Sequence, residues 1–214
     1  MTSRAQILAR VKKNQPELKP LPPAELILSE NWGKTPDTDQ PQSASADSGQ
    51  ALRNIEQFRN VLTTIGGALI EVSGYGEILD YITAHYQGEQ RIISTLPELS
   101  SITEPGWEND DPHTLENVDL AIISAHFGVA ENAALWITEE LMQQRVVPFI
   151  CQQLAVVVSK NEILTTMHDA YARIGEAEYG FGVFIAGPSK TADIEQSLVL
   201  GAHGPKGMTV FLIG

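Results

Sequence analysis

Residues able to do chemistry are concentrated in Ala186–Lys206, AGPSKTADIEQSLVLGAHGPK. By pattern, an apolar run ends at Gly187, Pro188 and Ser189 turn the chain, and Asp193, Ile194, Glu195 and Leu198 have the spacing of a helix that Ser189 or Thr191 would cap. A strand, a polar turn and a helix N-terminus in that order present unpaired backbone N–H groups to an anion, and Lys190 adds a positive charge at the same place. Asp193 and Glu195 in the first turn offer a competing use, as carboxylates that satisfy the helix dipole themselves. His203, set between Gly201 and Gly204 in GAHGP, is either a plain turn residue or a donor beside the preceding loop. Gly187, Ser189, Lys190, Thr191, Asp193, Glu195, His203 and Gly204 are thus expected to wall one polar crevice for a small anionic ligand. Its expected place is the carboxyl end of the sheet, where open α/β sheets collect ligands.

Other chemistries find less support. A lone histidine makes no metal site, and His85, His113, His126 and His168 have no spacing that pairs them with His203, so no structural metal is expected. The single cysteine, Cys151, forms neither an internal disulfide nor a four-cysteine iron–sulfur cluster. Gly74-Tyr75-Gly76 suggests a dinucleotide fingerprint, but Leu79 stands where the third glycine belongs.

The elements that must position these residues follow from periodicity. Leu52, Ile55, Phe58, Val61, Leu62 and Ile65 share a helical face that Gly66-Gly67 ends. Ala68–Gly74 predicts a strand, and a helix with Ile78, Leu79 and Ile82 turned inward follows. Arg91–Thr95, Leu120–Ser124, Ala134–Thr138, Leu154–Ser159, Val183–Gly187 and Thr209–Ile213 are further strands, with a helix over about Asn161–Ile174. Several strands are apolar on both alternations, as in a sheet covered on both faces. Leu120–Ser124, Leu154–Ser159, Val183–Gly187 and Thr209–Ile213 are expected to be neighbours. The fold class predicted is α/β, a three-layer α/β/α sandwich with a mostly parallel sheet. Residues 1–49 form an extension: an amphipathic helix begun by Ser3 and Gln6, then a polar stretch, Thr35–Gly49, too poor in apolar residues for a core. Residues 50–214 form the main domain.

Composition narrows the partners. The chain has 214 residues, 43% hydrophobic and 19% charged, an ordinary globular composition. Fourteen Lys and Arg against 27 Asp and Glu give a net charge of −13, which opposes nucleic acid and anionic membrane surfaces. No run approaches the roughly 18 apolar residues of a membrane span; Val146–Val158 is broken by Pro148, Gln152 and Gln153. The opening MTSRAQILARVKK lacks the pattern of a secretory signal, so a cytoplasmic protein is expected.

The block GPSKTADIEQSLVLGAHGPKGMTVFLI resembles the carboxyl-terminal signature of the LUD domain, best known from the lactate utilization protein C family. VDLAIISAHFGVAENAALWIT resembles that family's Gly-Ala-Asp-Phe and Ala-Glu-Thr-Gly-Thr block, and SRAQILARVKK resembles its amino terminus. The resemblance implies a fold similar to the NagB/RpiA/CoA-transferase superfamily. It also implies an accessory, ligand-binding subunit in oxidation of L-lactate to pyruvate, with iron–sulfur partner proteins and no cofactor in this chain. His126 departs from the family's Asp, and Ala133 stands where the family has Gly, a residue type penalised at positive φ. The same superfamily supplies an alternative. Ala130-Glu131-Asn132-Ala133 is similar to the Ser-Glu-Asn-Gly motif of CoA transferases, which would make Glu131 the catalytic nucleophile of an acyl or CoA transferase. A glutamate that merely hydrogen-bonds a hairpin is the competing role. Whether the chain forms a homo-oligomer is left open.

Overall fold

The computed structural model describes residues 44–86, 88, 90–192 and 198–214. The chain divides into two compact units, Met1–Pro41 and Gln42–Gly214, and the described residues belong to the second. The amino-terminal helix read at Ser3 lies outside them, as does most of the polar stretch.

The elements run α1 (Ala44–Thr64), β1 (Ala68–Val72), α2 (Tyr75–His85), β2 (Ile92–Ser94), β3 (Leu120–Ser124), β4 (Phe127–Val129) and β5 (Ala134–Thr138). There follow α3 (Glu139–Met142), α4 (Val147–Ile150), β6 (Gln153–Ser159), β7 (Ile163–Leu164), α5 (Met167–Ile174), β8 (Gly182–Ile185), β9 (Lys190–Ala192), β10 (Leu198–Leu200) and β11 (Gly207–Ile213). An all-parallel five-stranded sheet has the order β1-β11-β6-β3-β2. β3, β6 and β11 are largely apolar on both alternations because both faces are covered. Leu120, Ile122, Ala155, Val157 and Phe211 pack on Ile78 and Ile82 of α2. Ala121, Ile123, Leu154, Val156 and Val210 face the other way, in one cluster with Phe58 and Leu62 of α1.

On that second face the layer is only partly helical. A four-stranded sheet of order β7-β4-β5-β8 shares it with α1. Phe127, Val129 and Trp136 on the far side of this sheet pack against Ala170, Met167 and Ile174 of α5. Val183–Ile185 is therefore not a neighbour of β11 or β6, as expected, but pairs antiparallel with β5, Ile185 opposite Leu135. The periodicity misled because Val183–Ile185 is apolar at every position although each is only half-buried. A short apolar run does not say which strand it pairs with.

Two helix starts also differ from expectation. α1 begins at Ala44, inside the stretch read as linker, and Leu52 is 69% exposed rather than turned inward. Asn54 fixes the helix instead, donating from Nδ2 to the Ile163 carbonyl at 3.0 Å and to Thr165 Oγ1 at 3.1 Å. The helix read from about Asn161 starts only at Met167. A capping box sets that boundary: Thr166 Oγ1 accepts from the Asp169 N–H, and Asp169 Oδ2 accepts from the Thr166 N–H. Ile163 and Leu164 meanwhile pair with β4.

Candidate functional site

The carboxyl-terminal block is described on both sides of residues 193–197, which lie outside the described residues. Lys190–Ala192 and Leu198–Leu200 are antiparallel strands, with Lys190 opposite Leu200 and Thr191 opposite Val199, so Leu198 belongs to a strand and not, as expected, to a helix. Ser-Leu-Val-Leu is a short apolar run that fits either period, and β-branched Thr191 and Val199 favour the ladder. Asp193 and Glu195 lie outside the described residues. Thr191 sits in β9 beside the site.

Gly187, Ser189, Lys190, His203 and Gly204 come together. They line a cleft of about 520 Å³ with Ile65, Phe149, Val183, Ile185 and Pro205. Gly187 turns the chain there at φ +69°, and a Cβ on it would come within 2.9 Å of Ile65 Cγ1. The Ser189 N–H donates to the Pro205 carbonyl at 2.9 Å, and the Ser189 carbonyl accepts from the Gly201 N–H at 3.0 Å. These bonds hold the two loops side by side. The Ser189 hydroxyl, the Lys190 ammonium and the His203 ring have no hydrogen-bond or ion-pair partner among the described residues. Lys190 Nζ lies near Gly66, where an added Cβ would be 3.3 Å from it. The last turn of α1 has no basic residue, so this ammonium also faces the negative end of that helix dipole.

The cleft's location departs from expectation. Ile65 precedes β1, Phe149 precedes β6, and Gly204 and Pro205 precede β11, so the cleft opens at the amino end of the parallel sheet. Only β8, in the smaller sheet, points its carboxyl end into it. The Ser-Lys turn does follow a strand, but that strand is not a member of the main sheet.

Glu131 stands elsewhere. Its side chain is exposed, lines neither this cleft nor the second cavity described below, and its Oε2 accepts from the Met167 N–H at 2.8 Å. Met167 is the first residue of α5, so the carboxylate sits at a helix N-terminus, a stabilising place for it. Ala133, in the same loop, takes φ +56°. The backbone conformation that glycine would favour is kept without glycine, at a cost of about 1 kcal/mol.

Sequence reasoning missed a second cavity, of about 490 Å³, between α5, the loop after it and β4–β5. His126, Phe127, Trp136, Thr138, Glu139, Glu140, Arg173, Glu178 and Tyr179 line it. His126 Nε2 is 2.7 Å from Thr138 Oγ1 and 3.5 Å from Glu140 Oε1. The available signal was His126 itself, the departure from Asp. Cys151 belongs to neither cavity. It is 2% exposed, and burial pushes its thiol up to about 12, which removes it as a nucleophile near neutral pH. Among the described residues no three His, Cys, Asp or Glu side chains converge on a metal position, and no helix is long and apolar enough to cross a membrane.

Known proteins resemble this chain in sequence and in fold. The LUD domain family model matches residues 107–213, which include β3 to β11 and thus most of both cavities. Lactate utilization protein C of Exiguobacterium sp. (strain ATCC BAA-1283 / AT1b) is 25% identical over 233 residues, covering 100% of this chain and 96% of that protein. The protein of the same name from Bacillus pumilus is 30% identical over 168 residues, covering 73% of this chain and 67% of its own length. A DUF162 family protein from Deinococcus radiodurans, solved by crystallography, superposes with a TM-score of 0.58 at 17% identity. The match covers 81% of this chain and 100% of that one, a likeness of fold. The chain belongs to the LUD domain family, in its lactate utilization protein C branch.

Proposed function

We propose that this chain serves lactate utilization as an accessory, ligand-binding subunit. The cleft at Ser189, Lys190 and His203 holds a small carboxylate such as L-lactate or pyruvate. Iron–sulfur partner proteins carry the electrons, and this chain contributes no cofactor. The observation that carries the reading is the charge of the cleft: on a chain of net charge −13, its described lining has Lys190 and His203 and not one Asp or Glu. A local positive site in a negative field is what an anionic ligand needs. Ile65, Val183 and Ile185 suit the methyl group, while the Ser189 hydroxyl and the Lys190 ammonium suit carboxylate oxygens. The relatives' name supplies the ligand class.

Calorimetric titration of L-lactate and of pyruvate at low ionic strength tests the proposal. Ser189→Ala should weaken binding about fivefold, the equivalent of about 1 kcal/mol for one hydrogen bond. Lys190→Glu should weaken it more than tenfold by placing like charges together, and added salt should weaken binding to the parent. In a parallel arm, the tagged chain from cells grown on lactate should capture iron–sulfur proteins. Equal affinity in the parent and both variants would overturn the carboxylate site, and capture of no iron–sulfur protein would overturn the accessory role.

A further inference from the structure

We propose that the cavity between α5 and β4–β5 is a second site, selective for an organic cation: an ammonium group carried on an apolar or aromatic body. The proposal goes beyond the carboxylate cleft and stands independently of it. The walls are aromatic. Trp136 and Tyr179 meet edge to face with ring centroids 5.2 Å apart, and Phe127 lies opposite Trp136 in the β4–β5 register. Gly182 lets the indole lie flat across β8, since a Cβ there would come within 2.4 Å of the Trp136 ring.

This wall already receives a cation. The Arg173 guanidinium sits over the Phe127 ring, 5.3 Å from its centroid, and is itself paired with Glu162. Aromatic faces attract cations through the ring quadrupole, most strongly where water is excluded.

The charges left over have the complementary sign. Glu139 is neutralised by Arg145 at 2.6 Å. Glu140 faces only the His126 ring, and Glu178 has no ion-pair or hydrogen-bond partner among the described residues. Two carboxylates beside an aromatic wall recognise an ammonium group by charge and its carbon body by contact. The position agrees with the general habit of α/β sheets. His126 stands two residues past the last residue of β3, so the cavity opens by the carboxyl end of a parallel strand, where ligands commonly bind.

The test uses the full chain and two probes of nearly the same shape, phenethylammonium and its neutral counterpart 2-phenylethanol, titrated calorimetrically at low ionic strength. The parent should bind phenethylammonium at least tenfold more tightly than the alcohol. The double variant Glu140→Gln, Glu178→Gln should lose at least fivefold in affinity for phenethylammonium and leave the alcohol unchanged. Both positions are exposed and Gln preserves their shape, so far-ultraviolet circular dichroism and the melting temperature should match the parent. Tyr179→Ala should weaken both probes through lost contact. Equal affinity for the two probes, no binding of phenethylammonium, or an unchanged double variant would each overturn the proposal.

Discussion

The two cavities are nearly equal in volume, about 520 and 490 Å³, and opposite in charge. One, at the amino end of the parallel sheet, offers Lys190 and His203 and no described acid. The other, beside the carboxyl end of β3, offers Glu140 and Glu178 and an arginine already paired. Size therefore says little about what either would hold. The difference lies in which loops carry unneutralised charge: the Ser189–Lys190 turn and the His203 loop in one, the residues after β5 and α5 in the other. The second sheet makes the contrast possible, because β5 lends Trp136 and Thr138 to one cavity and β8 lends Val183 and Ile185 to the other.

That comparison can be broken at defined places. The largest effect is expected from Gly187→Ala. The new Cβ would meet Ile65 and stand at positive φ, so stability should fall by about 2 kcal/mol. Carboxylate binding should fall with it, while phenethylammonium binding to the folded fraction should not change. Chemical denaturation and the two titrations check this, and equal losses at both cavities would show that they are not separate sites. Thr138→Val should be milder, costing about 1 kcal/mol. It keeps the shape but leaves His126 Nε2 without its 2.7 Å partner, so it should perturb only the second cavity. Smallest of all should be Ala133→Gly, within about 1 kcal/mol of the parent. Relief of the φ +56° conformation is offset by loss of a buried methyl group. A large change in either direction, read by the same denaturation curves, would mean that this loop is not held as described.

How much of this was legible in the sequence depended on whether the signal was local. The buried strands β3, β6 and β11 were, because runs such as Leu120–Ser124 and Leu154–Ser159 are apolar throughout. Their membership in one sheet followed from the α/β alternation. The partner of Val183–Ile185 was not, since an apolar run, here half-buried at each position, does not encode which strand it pairs with. Gly187, Ser189, Lys190, His203 and Gly204, which share one cleft, could be singled out because each is marked by type, as turn former, hydroxyl, cation or imidazole. Leu198 was assigned to a helix and lies in a strand, because three residues, Leu198–Leu200, cannot distinguish periods of 2 and 3.6. The crevice was expected at the carboxyl end of the main sheet because Val183–Ile185 was assigned to that sheet, whereas it belongs to the smaller one. His126 was noted only as a departure from the family's Asp, and Glu140 and Glu178 escaped altogether. The three are 14 and 38 positions apart along the sequence, and only the β4–β5 pairing and the course of the chain after α5 bring them to one cavity.

The most direct test of the central claim is a residue-resolved amide nuclear magnetic resonance titration of the full chain with L-lactate, followed on the same sample by phenethylammonium. The account predicts that lactate shifts the amides of Gly187, Ser189, Lys190, His203 and Gly204 and spares those of His126, Thr138, Glu140 and Glu178. Phenethylammonium should do the reverse. Lactate shifts centred on His126 and Thr138, or lactate and phenethylammonium moving one common set of amides, would contradict the assignment of a carboxylate to the Lys190 cleft.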